Sequence, residues 1–382
     1  MSVRPLRIFY PSAAELLTDY RPHGEGLIAW NLLSRLAARG HHVVACVGAL
    51  DVSGPVPFEV VEVGRRQRFE SLEPFARLRV VEDVFRQRGG ARAFDAAHWL
   101  FPPNRDEIAF ASAGELPFFY GPHSPAWPEG SGRQRRLGDV VRVLVRPLLR
   151  RRYRSTLRAA TAVFVSVPEA ARELPRDVAS RVQVIPFGVD AERFTPTSLP
   201  PAASALYVGS LARRKGVRTL LQALARLDPC PRLVIAGTGP ELEPLRRLAG
   251  ELGLDHCVDW LGSVPHENVP ELLHQTWLLC VPSIGEPFGM VILEAMASGR
   301  AVVAGDGPGP RFLVDAGRGG LLVGGGDVDA LARALRELLA DPARIEAMGR
   351  HNRAKVERDL SWQRVVGRLE TAYTAAAEAR PR

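Results

Sequence analysis

The chain has 382 residues, more than one hydrophobic core usually serves, so two domains are expected. Its hydrophobic fraction of 46% and its 35 glycines are ordinary for a soluble α/β protein. No run of about 18 uncharged apolar residues occurs, which excludes a membrane-spanning helix, and the N-terminus lacks a signal-peptide pattern. The net charge is +8, and residues 133–158 alone carry ten arginines against one aspartate.

The first half of the chain alternates short apolar runs with helical patterns. The expected strands are Arg7–Tyr10, His42–Val47, Ala96–Leu100, Leu116–Tyr120, Ala162–Val165 and Val182–Ile185. Apolar residues at helical spacing predict a helix over 27–39, which Gly40 ends. This alternation predicts a parallel sheet with helices on both faces.

Residues 186–204 contain four prolines and a glycine and interrupt the alternation of strand and helix patterns. We place the domain boundary there. The pattern then restarts, with expected strands Ala205–Val208, Arg232–Ala236, Val258–Leu261, Leu278–Val281, Ala301–Ala304 and Leu321–Val323. We predict two doubly wound, Rossmann-like α/β domains, 1–190 and 205–360, with a linker over 191–204 and a last helix over 361–382. Two such domains would face one cleft, where open α/β sheets bind ligands.

The four cysteines, Cys46, Cys230, Cys257 and Cys280, are scattered along the chain. None belongs to a Cys-x-x-Cys pair or to a Cys/His cluster with zinc-site spacing. We therefore expect reduced thiols, no bound metal and a cytoplasmic protein.

The most informative stretch is 282–299, Pro-Ser-Ile-Gly-Glu-Pro-Phe-Gly-Met-Val-Ile-Leu-Glu-Ala-Met-Ala-Ser-Gly. A strand, a glycine turn and a helix start follow one another here, and free backbone N–H groups at such a start can bind an anion. The stretch places Glu286 and Glu294 eight residues apart. Glu294 lies among apolar neighbours, where a carboxylate needs hydrogen-bond partners such as sugar or ribose hydroxyls.

This stretch resembles the Glu-x7-Glu signature of the family-4 retaining glycosyltransferases, also called glycosyl transferases group 1, whose fold is GT-B. The resemblance implies a retaining, metal-independent hexosyltransferase with a UDP- or GDP-linked sugar donor. By the same resemblance, Glu286 and Phe288 would hold the donor sugar, Glu286 also acting in catalysis. Glu294 would bind the ribose. The N–H groups of Gly289 and Met290 would bind the diphosphate.

The loop 208–216, Val-Gly-Ser-Leu-Ala-Arg-Arg-Lys-Gly, follows the first strand of the second domain. It resembles the family's Gly-Arg-Leu-x-x-x-Lys-Gly loop, in which an arginine and a lysine hold the leaving phosphates. Lys215 matches the lysine and is an expected catalytic residue. Ser210 stands where the arginine usually is, so Arg214 or Arg213 would supply the second cation. The alternative is a solvated basic turn.

Three features of the first domain also match the family. Gly24 and Gly26, on either side of Glu25, resemble its glycine-rich phosphate loop, with an ordinary strand–helix turn as the alternative. His123, on a Pro/Gly-rich loop after an apolar strand, resembles the catalytic histidine that contacts the donor sugar; a turn histidine facing water is the alternative. His98 resembles another family position, and we favour a structural role for it. The histidines expected to be structural or exposed are His41, His42, His256, His266, His274 and His351.

Two further positions concern the donor. Val264 follows a strand at the point where the family's backbone contacts the base. Arg311 stands where the family often has a glutamate, which leaves the donor sugar undetermined. The run 237–242, Gly-Thr-Gly-Pro-Glu-Leu, lacks the third glycine of a dinucleotide fingerprint and instead resembles a family turn.

The basic segment 133–158 has apolar residues and arginines at the spacing of an amphipathic helix. Such a helix could lie on the anionic inner face of a membrane, or it could belong to the domain with its arginines solvated. Nucleic acid is not expected as a partner, because no stacking aromatics beyond Tyr153 accompany the charges.

The expected function is therefore transfer of a sugar to a sugar, lipid-linked or small-molecule acceptor in glycan, glycolipid or glycosylated-metabolite biosynthesis. The nucleotide sugar is a co-substrate, and no cofactor is expected. Two alternatives are another GT-B enzyme, such as a nucleotide-sugar epimerase, and a non-catalytic nucleotide-sugar-binding or membrane-docking protein.

Overall fold

A computed structural model describes residues 4–20, 24–64, 73–101, 116–125, 151 and 153–380. The chain forms two compact units. Unit 2 contains Gly188–Arg364. The chain leaves unit 1 after Phe187 and returns to it at Val365.

Unit 1 contains, within the described residues, a seven-stranded parallel sheet in the order β3-β2-β1-β4-β5-β6-β7. Its strands are β1 (Arg7–Leu17), β2 (His42–Leu50), β3 (Glu59–Glu62), β4 (Ala96–Trp99), β5 (Phe118–His123), β6 (Ala162–Val165) and β7 (Val182–Val184). Its helices include α1 (Gly24–Ala38) and α2 (Glu73–Gln87).

Unit 2 contains a six-stranded parallel sheet in the order β10-β9-β8-β11-β12-β13, again counted over the described residues. Its strands are β8 (Ser204–Val208), β9 (Arg232–Ala236), β10 (Val258–Gly262), β11 (Leu278–Val281), β12 (Ala301–Gly305) and β13 (Gly320–Val323). Its helices are α3 (Val217–Leu224), α4 (Leu242–Glu251), α5 (Val269–His274), α6 (Met290–Ala297), α7 (Pro308–Leu313), α8 (Val328–Leu339) and α9 (Pro342–Lys355).

The last helix, α10 (Trp362–Glu378), begins in unit 2 and continues into unit 1. Its apolar face there, Val365, Val366, Leu369 and Tyr373, is at most 1% exposed. Polar contacts also hold it, because Glu370 accepts a hydrogen bond from Arg39 at 2.8 Å. The segment is therefore part of the core of unit 1.

The fold confirms two Rossmann-like α/β domains, and every predicted strand is present within a few residues. β3 was not predicted, because its sequence, Glu-Val-Val-Glu, is short and only half-buried. β5 differs in extent, since it continues through Gly121 and Pro122 to His123. That histidine is thus the last residue of a strand and not part of a loop.

The prediction of reduced thiols is wrong for one pair. Cys230 and Cys257 form a disulfide, whereas Cys46 and Cys280 are free and buried. The pair is 27 residues apart in sequence, but Cys257 directly precedes β10 and Cys230 lies two residues before the neighbouring strand β9.

Most of the basic segment lies outside the described residues, and so does the prediction of an amphipathic helix there. Within its described end, Leu157 is buried and Arg158 hydrogen-bonds Asp177. Across the ranges that the structure describes, no helix is long and apolar enough to cross a membrane.

Candidate functional site

The turn before α6 depends on a left-handed backbone conformation. Gly289 has a φ of +92°, which residues with a side chain rarely adopt. A Cβ atom there would also lie 2.9 Å from Cδ1 of Ile292. Met290 then begins the helix, whose first N–H groups lack intrahelical acceptors. This helix start offers partial positive charge to an anion.

Lys215 and Glu286 form an ion pair beside this turn. The lysine Nζ lies 2.8 Å from Oε2 of the carboxylate, and the two side chains are 19% and 8% exposed. A charge that is largely removed from water is tolerated when it is paired. Sequence analysis predicted both residues for the site but did not predict that they contact each other.

Backbone packing explains how these two residues meet. Gly216, which follows the lysine, has a φ of +72°, and a Cβ atom there would lie 2.1 Å from the carbonyl oxygen of Pro282. The N–H of Ile284 donates to the carbonyl of Arg214 at 2.8 Å. The lysine turn is therefore fixed against the loop that carries the glutamate.

The two arginines of the turn differ in their surroundings. Arg213 is exposed, whereas Arg214 is half-buried. Burial raises the pKa of the nearby Tyr207, and the charge of Glu286 adds to this effect while the charge of Arg214 opposes it. Arg214 and Glu286 therefore both lie near Tyr207.

Glu294 has a partner that sequence analysis missed. Its Oε1 lies 2.8 Å from Nε2 of His266, and the carboxylate side chain is only 9% exposed. Because a carboxylate only accepts, Nε2 must carry the proton that it donates. His266, expected from the sequence to be structural or exposed, is half-buried and can orient the carboxylate that we expect to bind the ribose.

The other predicted residues of unit 2 lie on neighbouring segments. Val264 is half-buried in the loop after β10, two residues before His266. Phe288 is buried, and its backbone packs closely on Gly309, where a Cβ atom would lie 2.1 Å from the Phe288 carbonyl oxygen.

Arg311 does not bring an uncompensated charge. Its guanidinium makes two hydrogen bonds with the carboxylate of Asp306, at 2.5 and 2.7 Å. These hydrogen bonds lower the pKa of Asp306, so the carboxylate stays ionised beside the arginine. Asp306 thus balances the positive charge that Arg311 brings to a position where the family often has a glutamate.

The two glycines predicted to form a phosphate loop lie within a helix and not in a loop. Gly24 and Gly26 are both in the first turn of α1, and Gly26 is buried. A Cβ atom on Gly24 would meet nothing within 4 Å. The residues just before this helix lie outside the described part of the chain.

His123 lies at the carboxyl end of β5. It is 9% exposed, and its Nε2 is 3.4 Å from Oε2 of Glu173. The carboxylate can orient the imidazole ring. The histidine is therefore held by a neighbour and does not face water freely.

A buried hydrogen-bond chain lies behind His123. The hydroxyls of Tyr10 and Tyr373 are 3.0 Å apart, the Tyr373 hydroxyl is 2.5 Å from Nδ1 of His98, and Nε2 of His98 is 2.6 Å from the carbonyl of Gly121. The carbonyl must accept, so Nε2 carries the proton and Nδ1 accepts. His98 is therefore a neutral structural group, as predicted, that supports the end of β5.

Burial lowers the pKa of His98 to about 3. Its ordinary value in the unfolded chain is about 6.5, so between these values the unfolded state binds more protons and stability falls as the pH falls. At pH 5 this difference in pKa should lower the free energy of unfolding by about 2 kcal/mol relative to neutral pH. The His98→Gln variant should start less stable at pH 7.5, but its melting temperature should fall less steeply towards pH 5 than that of the parent. Parallel curves would contradict a buried neutral imidazole.

Two family models match consecutive parts of the chain. Residues 24–193 match the model described as glycosyltransferase family 4. Residues 190–355 match the model described as glycosyl transferases group 1.

Curated relatives align with about half of the sequence. The chain is 37% identical over 215 residues to a D-inositol 3-phosphate glycosyltransferase of Corynebacterium jeikeium, covering 50% of this chain and 51% of the relative. It is 34% identical over 218 residues to a GDP-mannose-dependent alpha-(1-6)-phosphatidylinositol monomannoside mannosyltransferase of Mycolicibacterium smegmatis, covering 51% and 57%. The chain thus spans about half the length of the curated relatives it matches.

Solved structures match over nearly the whole chain. The sucrose-phosphate synthase of Thermosynechococcus elongatus has a TM-score of 0.74 at 23% identity, covering 99% of this chain and 100% of the other. HepE of Anabaena, solved with UDP and glucose, has a TM-score of 0.70 at 20% identity, covering 97% and 100%. The likeness shows a shared fold, and with the two family matches it establishes that the chain belongs to the family-4 glycosyltransferases, which have the GT-B fold.

Proposed function

We propose that this protein is a retaining hexosyltransferase that moves a sugar from a UDP- or GDP-linked donor to an acceptor hydroxyl. The observation that carries the proposal is the ion pair of Lys215 and Glu286 beside the start of α6. A cation, a carboxylate and backbone N–H groups at the carboxyl ends of neighbouring parallel strands suit a ligand that carries a diphosphate and hydroxyls.

The diphosphate would contact Lys215, Arg214 and the N–H groups at Gly289 and Met290. These groups would stabilise the negative charge that develops on the departing diphosphate, and the helix dipole would add to them. We therefore propose a reaction without a metal ion or cofactor, in which the nucleotide sugar is the co-substrate.

The nucleoside and the sugar would use separate groups. Because His266 holds Oε1 of Glu294, the second carboxylate oxygen would accept hydrogen bonds from the ribose hydroxyls. The backbone at Val264 would contact the base. Glu286 and Phe288 would bind the donor sugar.

The acceptor hydroxyl loses one proton during the transfer. We propose that the departing phosphate takes the acceptor proton and that His123 takes part in the reaction. The names of the curated relatives, which mention D-inositol 3-phosphate and a phosphatidylinositol monomannoside, support a sugar, polyol or lipid-linked acceptor and a role in glycan or glycolipid biosynthesis.

Thermal unfolding with UDP, GDP, ADP, dTDP and CMP at equal concentrations tests the donor site. A ligand that binds only the folded state raises the melting temperature. The free energy of unfolding rises by RT ln(1 + [L]/Kd), which is about 2.7 kcal/mol when the ligand concentration is 100 times Kd. We expect one diphosphate to give the largest shift. The shift should disappear in Glu294→Ala and persist in Glu267→Ala, which changes an exposed glutamate next to His266.

Radiolabelled sugar transfer to inositol phosphate, simple sugars and lipid-linked acceptors then tests turnover. A nucleotide shift without transfer to any of these acceptors would favour a non-catalytic nucleotide-sugar-binding protein. No shift with any nucleotide would contradict the proposal as a whole.

A further inference from the structure

Three metal-binding side chains lie together away from the proposed donor site. Among the residues that the structure describes, Cys230, His256 and Cys257 place their ligand atoms within 4.8 Å of one another. Sequence analysis did not detect the group because one cysteine is 27 residues before the other. It forms where the loop before β9 meets the turn before β10.

The geometry suits two chemical states of the cysteine pair. The Cα atoms of Cys230 and Cys257 are 6.4 Å apart, a separation compatible with a disulfide. Two thiolates on one tetrahedral zinc ion have their sulfurs about 3.8 Å apart, given a Zn–S distance of about 2.3 Å. Cys230 is only half-buried, which leaves its side chain room to rotate once the S–S bond is broken.

His256 distinguishes this group from a simple disulfide. One ring nitrogen of His256 lies within 4.8 Å of both sulfurs, although the residue is exposed. Two thiolates and one imidazole form a ligand set typical of zinc, with a fourth position left for water. Soft thiolate ligands select against magnesium and calcium.

We propose that the reduced protein binds one thiophilic divalent cation, such as Zn²⁺, through Cys230, Cys257 and His256. Reduction by a phosphine breaks the S–S bond, gives two thiols and oxidises the phosphine to its oxide with an oxygen atom from water. Zinc then replaces the two thiol protons, which pass to the buffer, and accepts an electron pair from the neutral imidazole.

The position of the group indicates a structural role for the metal. Cys257 directly precedes β10, and Cys230 lies two residues before β9. Both are at the amino ends of their strands, whereas the Lys215 turn and the turn before α6 follow the carboxyl ends of β8 and β11 in the same sheet. The ion would tie the edge strand to its neighbour, and this proposal does not depend on the proposed function.

Cobalt(II) and zinc titrations of the reduced, chelator-treated and desalted full chain test the proposal. We expect one equivalent of Co²⁺ to give thiolate-to-cobalt charge-transfer and tetrahedral visible bands, which one equivalent of Zn²⁺ removes. Cys46 and Cys280 should not contribute, because burial raises the pKa of both thiols, that of Cys46 to about 12. The unreduced chain should give no bands.

Variants identify the ligands. Cys257→Ser should abolish the bands, and His256→Asn should weaken zinc affinity by about tenfold or more in competition with a chromophoric chelator. His274→Asn, a histidine of the same unit that bonds the Thr195 carbonyl, should bind as the parent does. Circular dichroism and nucleotide binding would show that each variant is folded. Absence of bands in the reduced parent, or equal zinc affinity in His256→Asn, would overturn the proposal.

Discussion

Replacing Lys215 with alanine should lower the rate of sugar transfer by about 10²- to 10³-fold, the usual cost of losing one group that stabilises transition-state charge. The change removes a cation from the proposed diphosphate site. It also leaves Glu286, whose side chain is 8% exposed, without its counter-charge. Breaking a largely buried pair from one side should lower stability by about 3 kcal/mol. Steady-state kinetics and thermal unfolding measure the two effects separately.

The same turn provides a matched control. Arg213 is two residues away, carries the same charge and is exposed, so Arg213→Ala should keep a rate close to that of the parent. Glu286→Gln should lower kcat while nucleotide affinity stays within a few-fold. Parent-like turnover in Lys215→Ala would contradict the proposed role of the ion pair. An equal loss in Arg213→Ala would show that net charge and not the ion pair matters.

Changing His266 to asparagine should remove most of the preference for ribose over 2′-deoxyribose. His266 donates to Glu294 at 2.8 Å, and without this donor the carboxylate loses its fixed orientation. Hydrogen bonds to a charged group contribute about 1.5–3 kcal/mol, so affinity for the preferred nucleoside diphosphate should fall about tenfold or more. Affinity for its 2′-deoxy analogue should change little.

His266→Gln separates hydrogen bonding from packing. The amide nitrogen of glutamine can take the place of Nε2, whereas the shorter asparagine cannot reach it. Glutamine should therefore restore most of the ribose preference, and His274→Asn should leave it unchanged. If both His266 variants lower the affinity for ribose and deoxyribose ligands equally, the histidine supports the fold only. Calorimetric titration of the parent and the three variants with each ligand gives the dissociation constants.

Much of the fold is predictable because buried parallel strands have continuous apolar sequences. Runs such as Leu278–Val281 and Ala301–Ala304 have no polar residue and were readily identified. β3 was missed because an edge strand with glutamate at both ends has little apolar signal.

The candidate site was predictable only as far as its motifs are local. Glu286 and Glu294 lie in one strand–turn–helix segment, whose pattern the sequence displays directly. The partners of these residues, Lys215 and His266, are 71 and 28 residues away and come from loops after other strands. Their contacts depend on which strands are neighbours in the sheet, and a local pattern does not contain that information. The Cys230–Cys257 pair was missed for the same reason.

A ribosome synthesises the whole of unit 2 before it reaches Tyr373. Until then, Tyr10 and the Nδ1 atom of His98 lack the hydroxyl that joins them, and the apolar face of the last helix is missing from unit 1. Domains usually fold from the N-terminal side during synthesis, but here the second unit can complete first. The core of the nascent first unit would meanwhile lack the buried side chains of that helix, so it can close only once Val365–Tyr373 have been made.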